Sequence, residues 1–275
     1  MGFSITFLGT GSPRPSLERA NSAQIVHAGE HTILLDCGGG TMRRLLDAGI
    51  DPTTIDLLVL THRHSDHTLD YAEFLLGSWA MGRSSLRVLG PPGTRRLHEL
   101  LLLEPYRDDI DYRLSLGRSP QGLLDIEIEE HEAGLLFSDG SLQIRSVPVI
   151  HSIYTVAVRF DYGGGSIVHS GDTCYCPELV DLAAGADILV HDCCMAPAAV
   201  FQNNPAWPNL YEHLKAHHAT PEEAARTARE AGVNRLVLTH FLIGTDEAET
   251  LRRAREEFDG EIILGTDLLH LTCDT

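Results

Sequence analysis

The sequence predicts an α/β fold built from two similar halves. The pentapeptide Leu-Val-Leu-Thr-His occurs twice, ending at His62 and at His240. Each copy follows a segment of helical character that ends at a glycine, Gly49 in the first half and Gly232 in the second. A short apolar run rich in Val and Leu is typical of a strand covered on both faces, and helices commonly end at glycine. We therefore predict the order helix, glycine turn, buried strand and histidine in both halves.

Further elements follow from the same patterns. We predict helices over residues 41–46 and 221–230, strands over residues 5–8, 32–35, 86–89, 142–150 and 186–191, and a hairpin over residues 155–168. Strands of α/β sheets deliver functional residues at their carboxyl ends, so the two halves are expected to face one site. Because no low-complexity linker divides the chain, we expect a single domain over residues 1–275. Its N-terminal half would span about 1–135 and its C-terminal half about 136–275.

The chain is strongly acidic. Its 39 Asp and Glu residues outnumber its 21 Lys and Arg residues, which gives a formal net charge of -18. Such a charge repels polyanions unless a local basic patch overrides the global field. A nucleic acid is therefore a disfavoured partner that the sequence does not exclude, and a small molecule is the expected substrate.

The start of the chain has neither a basic region nor a long apolar run, which predicts a cytoplasmic protein without a membrane partner. The six cysteines, among them Cys174, Cys176, Cys193 and Cys194, match neither a zinc ribbon nor a small disulfide framework. We expect reduced, mostly buried thiols whose role is open. The oligomeric state is open too, with a homodimer as one option.

The loop after the first repeated strand is rich in metal-ligand residues. His62, His64, Asp66 and His67 fall within six residues, just before an amphipathic segment that begins at Leu69. Imidazole and carboxylate groups are the ligands of zinc and similar ions. In an extended loop, His62 and His64 can face one ion while Asp66 and His67 turn toward another. The spacing therefore predicts metal binding.

Three later residues complete a set for two ions. His151, Asp172 and His240 each lie just past a predicted strand, where a shared catalytic edge would be. We therefore expect two divalent cations, with Zn2+ as the leading metal and Mn2+ or Fe2+ as alternatives.

These residues carry a resemblance to a known family. The matching motifs are Phe7-Leu-Gly-Thr-Gly-Ser-Pro13, the segment from Leu34-Leu-Asp-Cys-Gly-Gly onward, the His62 cluster, Gly90-Pro-Pro-Gly-Thr94, His151, Gly171-Asp172-Thr173, His218-Ala-Thr220 and His240-Phe241. Over nearly its whole length the chain resembles the metallo-β-lactamase superfamily, and within it the ribonuclease Z-like branch. The resemblance implies a four-layer αββα sandwich with two pseudo-symmetric halves and the metals at one edge of the sheets.

The resemblance also implies roles for individual residues. His62, His64 and His151 would hold one ion, Asp66, His67 and His240 the other, and Asp172 would bridge the two. His218 matches the histidine that faces the scissile group in ribonuclease Z-like enzymes. Asp192 would be the partner of His218, although the family usually has Glu at this position.

The local sequence gives His218 a loop position. Thr220-Pro221-Glu222-Glu223 is typical of a helix start, with Thr as the cap and Pro at the first position. His218 therefore precedes a helix, where we expect it to be mobile enough to meet a substrate. The stretch from 196 to 216, with Phe201, Trp207 and Tyr211 among prolines and asparagines, fits a lid over the site and packing over a core edge equally well.

Such a centre predicts a hydrolase that acts through a metal-bound hydroxide, with Asp66 orienting or deprotonating the nucleophile and His218 protonating the leaving group. The leading substrate class is a small phosphodiester or similar ester. Members that process tRNA insert a long arm between the ligands that match His151 and Asp172, and here only a hairpin separates them. The alternatives are a ribonuclease Z-like endoribonuclease, a lactone, carboxyl-ester or sulfate-ester hydrolase, and a non-catalytic metal sensor.

Overall fold

The computed structural model describes residues 2–198 and 209–273. Two seven-stranded sheets account for the strands of this part of the chain. The strands of the first sheet, in spatial order, are β14 (His270–Thr272), β1 (Phe3–Gly9), β2 (Ala23–Ala28), β3 (His31–Leu35), β4 (Leu57–Val59), β5 (Arg87–Gly90) and β6 (Glu127–Glu130). Those of the second are β13 (Glu261–Leu264), β12 (Arg235–Thr239), β11 (Ile188–Asp192), β10 (Gly165–His169), β9 (Thr155–Tyr162), β8 (Leu142–Val149) and β7 (Gly134–Ser138).

Helices cover the outer faces of both sheets. They are α1 (Thr41–Asp47), α2 (Tyr71–Met81), α3 (Thr94–His98), α4 (Arg107–Ser115), α5 (Pro177–Leu182), α7 (Pro221–Ala231) and α8 (Glu247–Ala254). A further helix, α6 (Leu210–Lys215), has no buried residue. Short 3-10 turns lie at Pro52–Thr54 and Ser65–His67, and a π-helical turn lies at Glu99–Leu103.

Three hydrophobic clusters define four layers. Side chains such as Phe7 of the first sheet and Phe160 of the second share one cluster between the sheets. Phe74 of α2 packs on the outer face of the first sheet. Leu179 of α5 and Ala228 of α7 pack on the outer face of the second. The predicted αββα sandwich is therefore confirmed, because burial of both faces of each sheet requires helices outside and the partner sheet inside.

The two sheets have the same internal order. In the first, β1, β2 and β3 are antiparallel neighbours, and β3 to β6 are parallel. In the second, β8, β9 and β10 are antiparallel neighbours, and β10 to β13 are parallel. The two pseudo-symmetric halves expected from the sequence are thus present in the topology. The last strand, β14, returns to pair with β1 of the first sheet.

The predicted order of helix, glycine turn, buried strand and histidine is present around both copies of the pentapeptide, but the two strands do not hold equivalent places in their sheets. The first copy includes β4, the second of four parallel strands, whereas the second copy includes β12, the third of four. By topology β4 corresponds to β11, which ends at Asp192. The identical letters reflect the shared demand for a buried parallel strand followed by a polar residue.

The predicted start of α7 is confirmed in detail. The side chain of Thr220 accepts a hydrogen bond from the Glu223 backbone N–H, and the Glu223 carboxylate accepts one from the Thr220 N–H. Pro221 occupies the first position, and Gly232 ends the helix at φ 65°. This capping box fixes the start of the helix and with it the loop that carries His218.

Membrane-spanning helices and disulfide bonds are both absent from the described residues. No helix within residues 2–198 and 209–273 is long and apolar enough to cross a membrane. None of the six cysteines forms a disulfide bond, and five of them are buried.

Candidate metal centre

The loop that follows β4 carries four of the predicted ligands to the edge of the sheets. A 3-10 turn over Ser65–His67 tightens the loop, so that Asp66 and His67 face inward and are buried. Gly38 permits this approach, because a Cβ at that position would collide with the carbonyl oxygen of Asp66. The close contact between the two loops makes glycine necessary there.

All seven predicted ligands meet at this edge, in two overlapping groups. In each group the ligand atoms lie within 4.8 Å of one another. One group consists of His62, His64, His151 and Asp172, and the other of Asp66, His67, His240 and Asp172. Asp172 is common to both. The arrangement corresponds to the two ligand sets that the family resemblance implied.

Two buried imidazole nitrogens without hydrogen-bond partners indicate that the clustered side chains can coordinate metal ions. Nε2 of His62 and Nε2 of His67 are fully buried and have no hydrogen-bond partner among the described residues. A buried polar atom without a partner is costly, and coordination of a cation removes that cost. Imidazole nitrogens with carboxylate oxygens form a donor set that zinc and similar ions accept.

The pKa values of these groups follow from burial and mutual contact. Burial raises the pKa of Asp172, but the surrounding imidazoles, His240 first, outweigh it and hold this pKa well below its usual range. Burial is the main cause that lowers the pKa of His151 to about 4 and the pKa of His62 well below its usual value. Burial lowers the pKa values of His67 and His240 as well, but the neighbouring carboxylates, Asp172 first, outweigh it and raise both well above the usual value. An ionised carboxylate and neutral imidazoles bind metal, so these two rings would lose a proton when a cation binds.

Asp36 supports the centre and was not recognised from the sequence as a functional residue. Its Oδ2 lies 2.7 Å from Nδ1 of His67, and both its oxygens accept hydrogen bonds from Thr61. A carboxylate in this position fixes the orientation of a ligand imidazole. Asp36 has a left-handed backbone with φ 57°, and His240 has φ 64°, so two residues of the centre occupy a conformation that non-glycine residues rarely adopt.

His169 is a second residue that sequence reasoning missed. It is buried at the end of β10, and its Nδ1 accepts a hydrogen bond of 3.0 Å from the backbone N–H of Gly171. Burial lowers the pKa of His169 to about 4, which keeps that nitrogen available as an acceptor. The bond positions the turn that presents Asp172. The only hint in the sequence was its place at the end of a predicted strand.

His218 and Asp192 are brought together as the resemblance implied. Nδ1 of His218 lies 2.7 Å from Oδ2 of Asp192. The side chain of His218 is buried and in contact with this carboxylate, and its expected mobility stays a prediction. Burial lowers the pKa of His218, but Asp192 outweighs it, so this pKa is raised. For Cys194, which lies beside this pair, burial raises the pKa to about 11.

A cavity of about 510 Å³ opens onto these groups. Its polar side includes His64, Asp66, His151, Asp172, His218 and His240. The opposite side includes Leu210 and Leu214 of α6 together with Leu242. Of the stretch proposed as a lid, Leu210, His213 and Leu214 border the cavity, whereas Phe201 and Trp207 lie outside the described residues.

Comparison with known families agrees with this geometry. A model of the beta-lactamase superfamily domain matches residues 31–241, a span that contains the seven clustered side chains. The chain belongs to the metallo-β-lactamase superfamily. Within this superfamily it is 36% identical over 273 residues to a Ribonuclease Z of Mycobacterium marinum, with 96% of each chain covered. This similarity assigns it to the ribonuclease Z-like branch.

Solved structures of the superfamily have the same fold. The metallo-beta-lactamase fold protein YhfI from Bacillus subtilis matches with a TM-score of 0.78 and 20% identity, covering 98% of this chain and 100% of the other. The short form of human tRNase Z matches with a TM-score of 0.70 and 22% identity, covering 99% and 100%. At these identities the likeness is one of fold. As a member of this superfamily, the chain is a metal-dependent hydrolase.

Proposed function

We propose that the chain is a dinuclear zinc hydrolase that cleaves small phosphodiesters. The observation that carries the proposal is the pair of four-residue ligand groups joined by Asp172 at the floor of the cavity. When bound, two divalent ions supply Lewis acidity toward a phosphoryl oxygen and an activated water. Asp172, which is common to both groups, would offset the mutual repulsion of two bound cations.

Side chains of the protein would activate the water, protonate the leaving group and exclude solvent. Asp66, whose Oδ2 lies 3.0 Å from Nε2 of His240, borders the cavity and would orient or deprotonate the attacking water. His218 would donate a proton to the departing oxygen, because its raised pKa favours the protonated ring. Asp192 would hold that ring in place. Leu210 and Leu214 would exclude water from the reacting group.

Size and charge favour a small substrate. Residues 152–171, between His151 and Asp172, form the turn after β8, the hairpin of β9 and β10 and a short loop, with no arm to grip tRNA. A net charge of -18 offers no long-range attraction to a polyanion. A small diester needs only the groups that line the cavity.

An endoribonuclease is the second candidate, because relatives of the same size are named Ribonuclease Z. The alignment covers 96% of this chain and 96% of the M. marinum protein. A long arm present in one protein and absent from the other would leave a larger unaligned part, so the relative lacks the arm as well. If these relatives act on RNA, the arm is dispensable. Precursor tRNA therefore belongs in the test.

The test compares metal-free and zinc-reconstituted chain on bis(p-nitrophenyl) phosphate, an aryl phosphonate, an aryl sulfate, a lactone and a precursor tRNA. We expect metal-dependent cleavage of the diester with kcat/KM well above that of the other substrates, and two zinc ions per chain by elemental analysis. Preference for tRNA would establish the endoribonuclease, and preference for the sulfate or lactone would replace the phosphodiester. A chain that holds two ions and turns over none of these substrates would be a sensor.

The proposal extends to location and partners. The six cysteines form no disulfide bond, which suits a reducing compartment and supports action in the cytoplasm. The proposed partner there is a small ester.

A further inference from the structure

Cys194 is a buried thiol that faces the cavity and has no part in the proposed reaction. It follows β11 by two residues, and its backbone N–H donates a 2.8 Å hydrogen bond to Oδ1 of Asp192. This bond fixes the direction of its side chain, which borders the cavity. The adjacent Cys193 packs instead into the hydrophobic cluster beneath α7. The two neighbouring thiols therefore have different environments.

Two imidazoles lie beside the Cys194 thiol. Ligand atoms of Cys194, His218 and His240 lie within 4.8 Å of one another, and all three residues are buried. The two rings are stacked, with an interplanar angle of 12° and centroids 5.4 Å apart. A thiolate with two imidazoles is a donor set found in zinc sites, and the sulfur adds affinity for softer ions.

Only one of the two ring nitrogens of His240 faces the dinuclear centre. Nε2 of His240 lies 3.0 Å from Asp66 and 3.3 Å from Asp172, on the side of the proposed ions. Nδ1, on the other side of the ring, is buried 3.5 Å from Oδ1 of Asp192 and makes no well-formed hydrogen bond among the described residues. With Nε2 on the main centre, Nδ1 carries the remaining ring proton, and a cation that replaces this proton would satisfy a buried nitrogen that otherwise lacks a hydrogen-bond partner in the described part of the chain.

We propose that Cys194, His218 and His240 form a third, inhibitory metal site that takes thiophilic divalent cations such as Cd2+. The cation forms one bond to sulfur and one to a ring nitrogen of each histidine. The thiol proton, the proton on the ring nitrogen of His218 that binds the cation and the remaining ring proton of His240 all pass to solvent, so that the sulfur binds as thiolate, His218 binds as neutral imidazole and the His240 ring binds one ion on each nitrogen.

Occupancy of this site has a functional consequence, which rests on the proposed reaction. An ion bound to His218 occupies the ring that would donate the proton, and it also fills part of the cavity above the dinuclear centre. Cadmium is therefore expected to inhibit at concentrations above those that fill the two main positions.

The test begins with chain that carries two equivalents of zinc and adds Cd2+ stepwise. Formation of a cadmium–thiolate bond gives an ultraviolet charge-transfer absorption that does not depend on turnover. We expect this absorption to saturate at about one cadmium per chain without release of zinc, as a single thiolate site requires. It should be absent from Cys194→Ser and unchanged in Cys174→Ser, a control thiol that is partly exposed and outside the three-residue group.

Diester hydrolysis gives a second readout on the same samples. Inhibition of Cys194→Ser should need at least about tenfold more cadmium than inhibition of the unmodified chain or of Cys174→Ser, since the sulfur supplies much of the soft-ion affinity. Circular dichroism and zinc content establish that Cys194→Ser is folded. A charge-transfer band that persists in Cys194→Ser, that is missing in the unmodified chain, or that grows as zinc is released would overturn the third site. If the chain hydrolyses no diester, the proposed function fails while the absorption titration still decides this inference.

Discussion

Nδ1 of His218 lies 2.7 Å from Oδ2 of Asp192, and the same carboxylate accepts hydrogen bonds from two backbone N–H groups. The donors are Thr173, at 3.1 Å, and Cys194, at 2.8 Å. Three donors hold the shorter Asp where the family usually has Glu. Asp192 therefore fixes Nδ1 of the His218 ring and leaves Nε2 available to a substrate.

This geometry predicts that His218 matters most for poor leaving groups. In His218→Ala, kcat for a dialkyl phosphodiester, which must expel an alkoxide, should fall by about 10²–10⁴, the usual contribution of a general acid. A p-nitrophenyl leaving group departs without protonation and should lose less than about tenfold. Steady-state kinetics on the two substrates measure the difference. His213→Ala, which changes another imidazole that borders the cavity, serves as the control. Equal losses for both leaving groups in His218→Ala would contradict the assignment.

Asp172 is expected to be required for both ions. It belongs to both ligand groups, so Asp172→Ala removes one donor from each centre and the charge between them. We predict that the purified variant retains less than about a tenth of the zinc of the unmodified chain, with a matching loss of activity, because each ion loses a ligand. Elemental analysis measures this. Asp181→Ala, an equal change of charge at an exposed position of α5, should keep full occupancy. Retention of two ions in Asp172→Ala would show that it does not bridge.

Asp36 should tune the affinity for metal without supplying a ligand. Asp36→Asn keeps the shape of the side chain but replaces the charge beside Nδ1 of His67. Removal of such a partner typically weakens metal binding 10- to 100-fold. We therefore expect full occupancy at saturating zinc, a dissociation constant raised by about that factor, and easier loss to a chelator. Competition with a chromophoric chelator gives the constant. An unchanged constant would mean that the bond only stabilises the fold.

The sequence predicted the metal ligands but not Asp36 and His169, the residues that position them. His62, His64, Asp66 and His67 are adjacent in the chain, and the remaining ligands follow buried strands, so strand ends alone locate them. Asp36 acts through His67, which is 31 positions away, and His169 acts through backbone, so no local pattern marks either.

Five of the observed strands were not predicted from the sequence, namely β2, β6, β7, β13 and β14, and for two of them the reason is clear. β6 has the sequence Glu-Ile-Glu-Glu and β14 is three residues long, so neither offers enough apolar residues for a pattern. Their places are determined by pairing with β5 and β1, contacts that sequence periodicity does not contain. The identical pentapeptides do not mark equivalent strands, because buried parallel strands at different places in a sheet favour the same apolar residues.

His31 predicts a pH dependence of stability far from the centre. It begins β3, at the opposite end of the strands, and joins the two sheets. Its Nδ1 lies 2.5 Å from Asp56, which precedes β4, and its Nε2 lies 2.8 Å from Asp139, in the turn between β7 and β8. Burial lowers the pKa of His31, but the bonds to Asp139 and Asp56 outweigh it and raise this pKa above its usual value. The contact with His31 lowers the pKa of Asp139.

The sign of the effect follows from these two shifts. A raised histidine pKa gives stability that is complete below the unfolded pKa of about 6.5 and is lost as the pH rises through the folded pKa. A lowered carboxyl pKa gives stability that is present above about 3.9 and is lost as the pH falls through the folded pKa. The bridge should therefore stabilise most between these limits. His31→Ala should lower Tm most in that window, and the difference from the unmodified chain should shrink at alkaline pH. Asp139→Asn should show the same alkaline convergence, whereas a Tm difference for His31→Ala that stays constant from acid to alkaline pH would show that packing, rather than charge, makes the contribution.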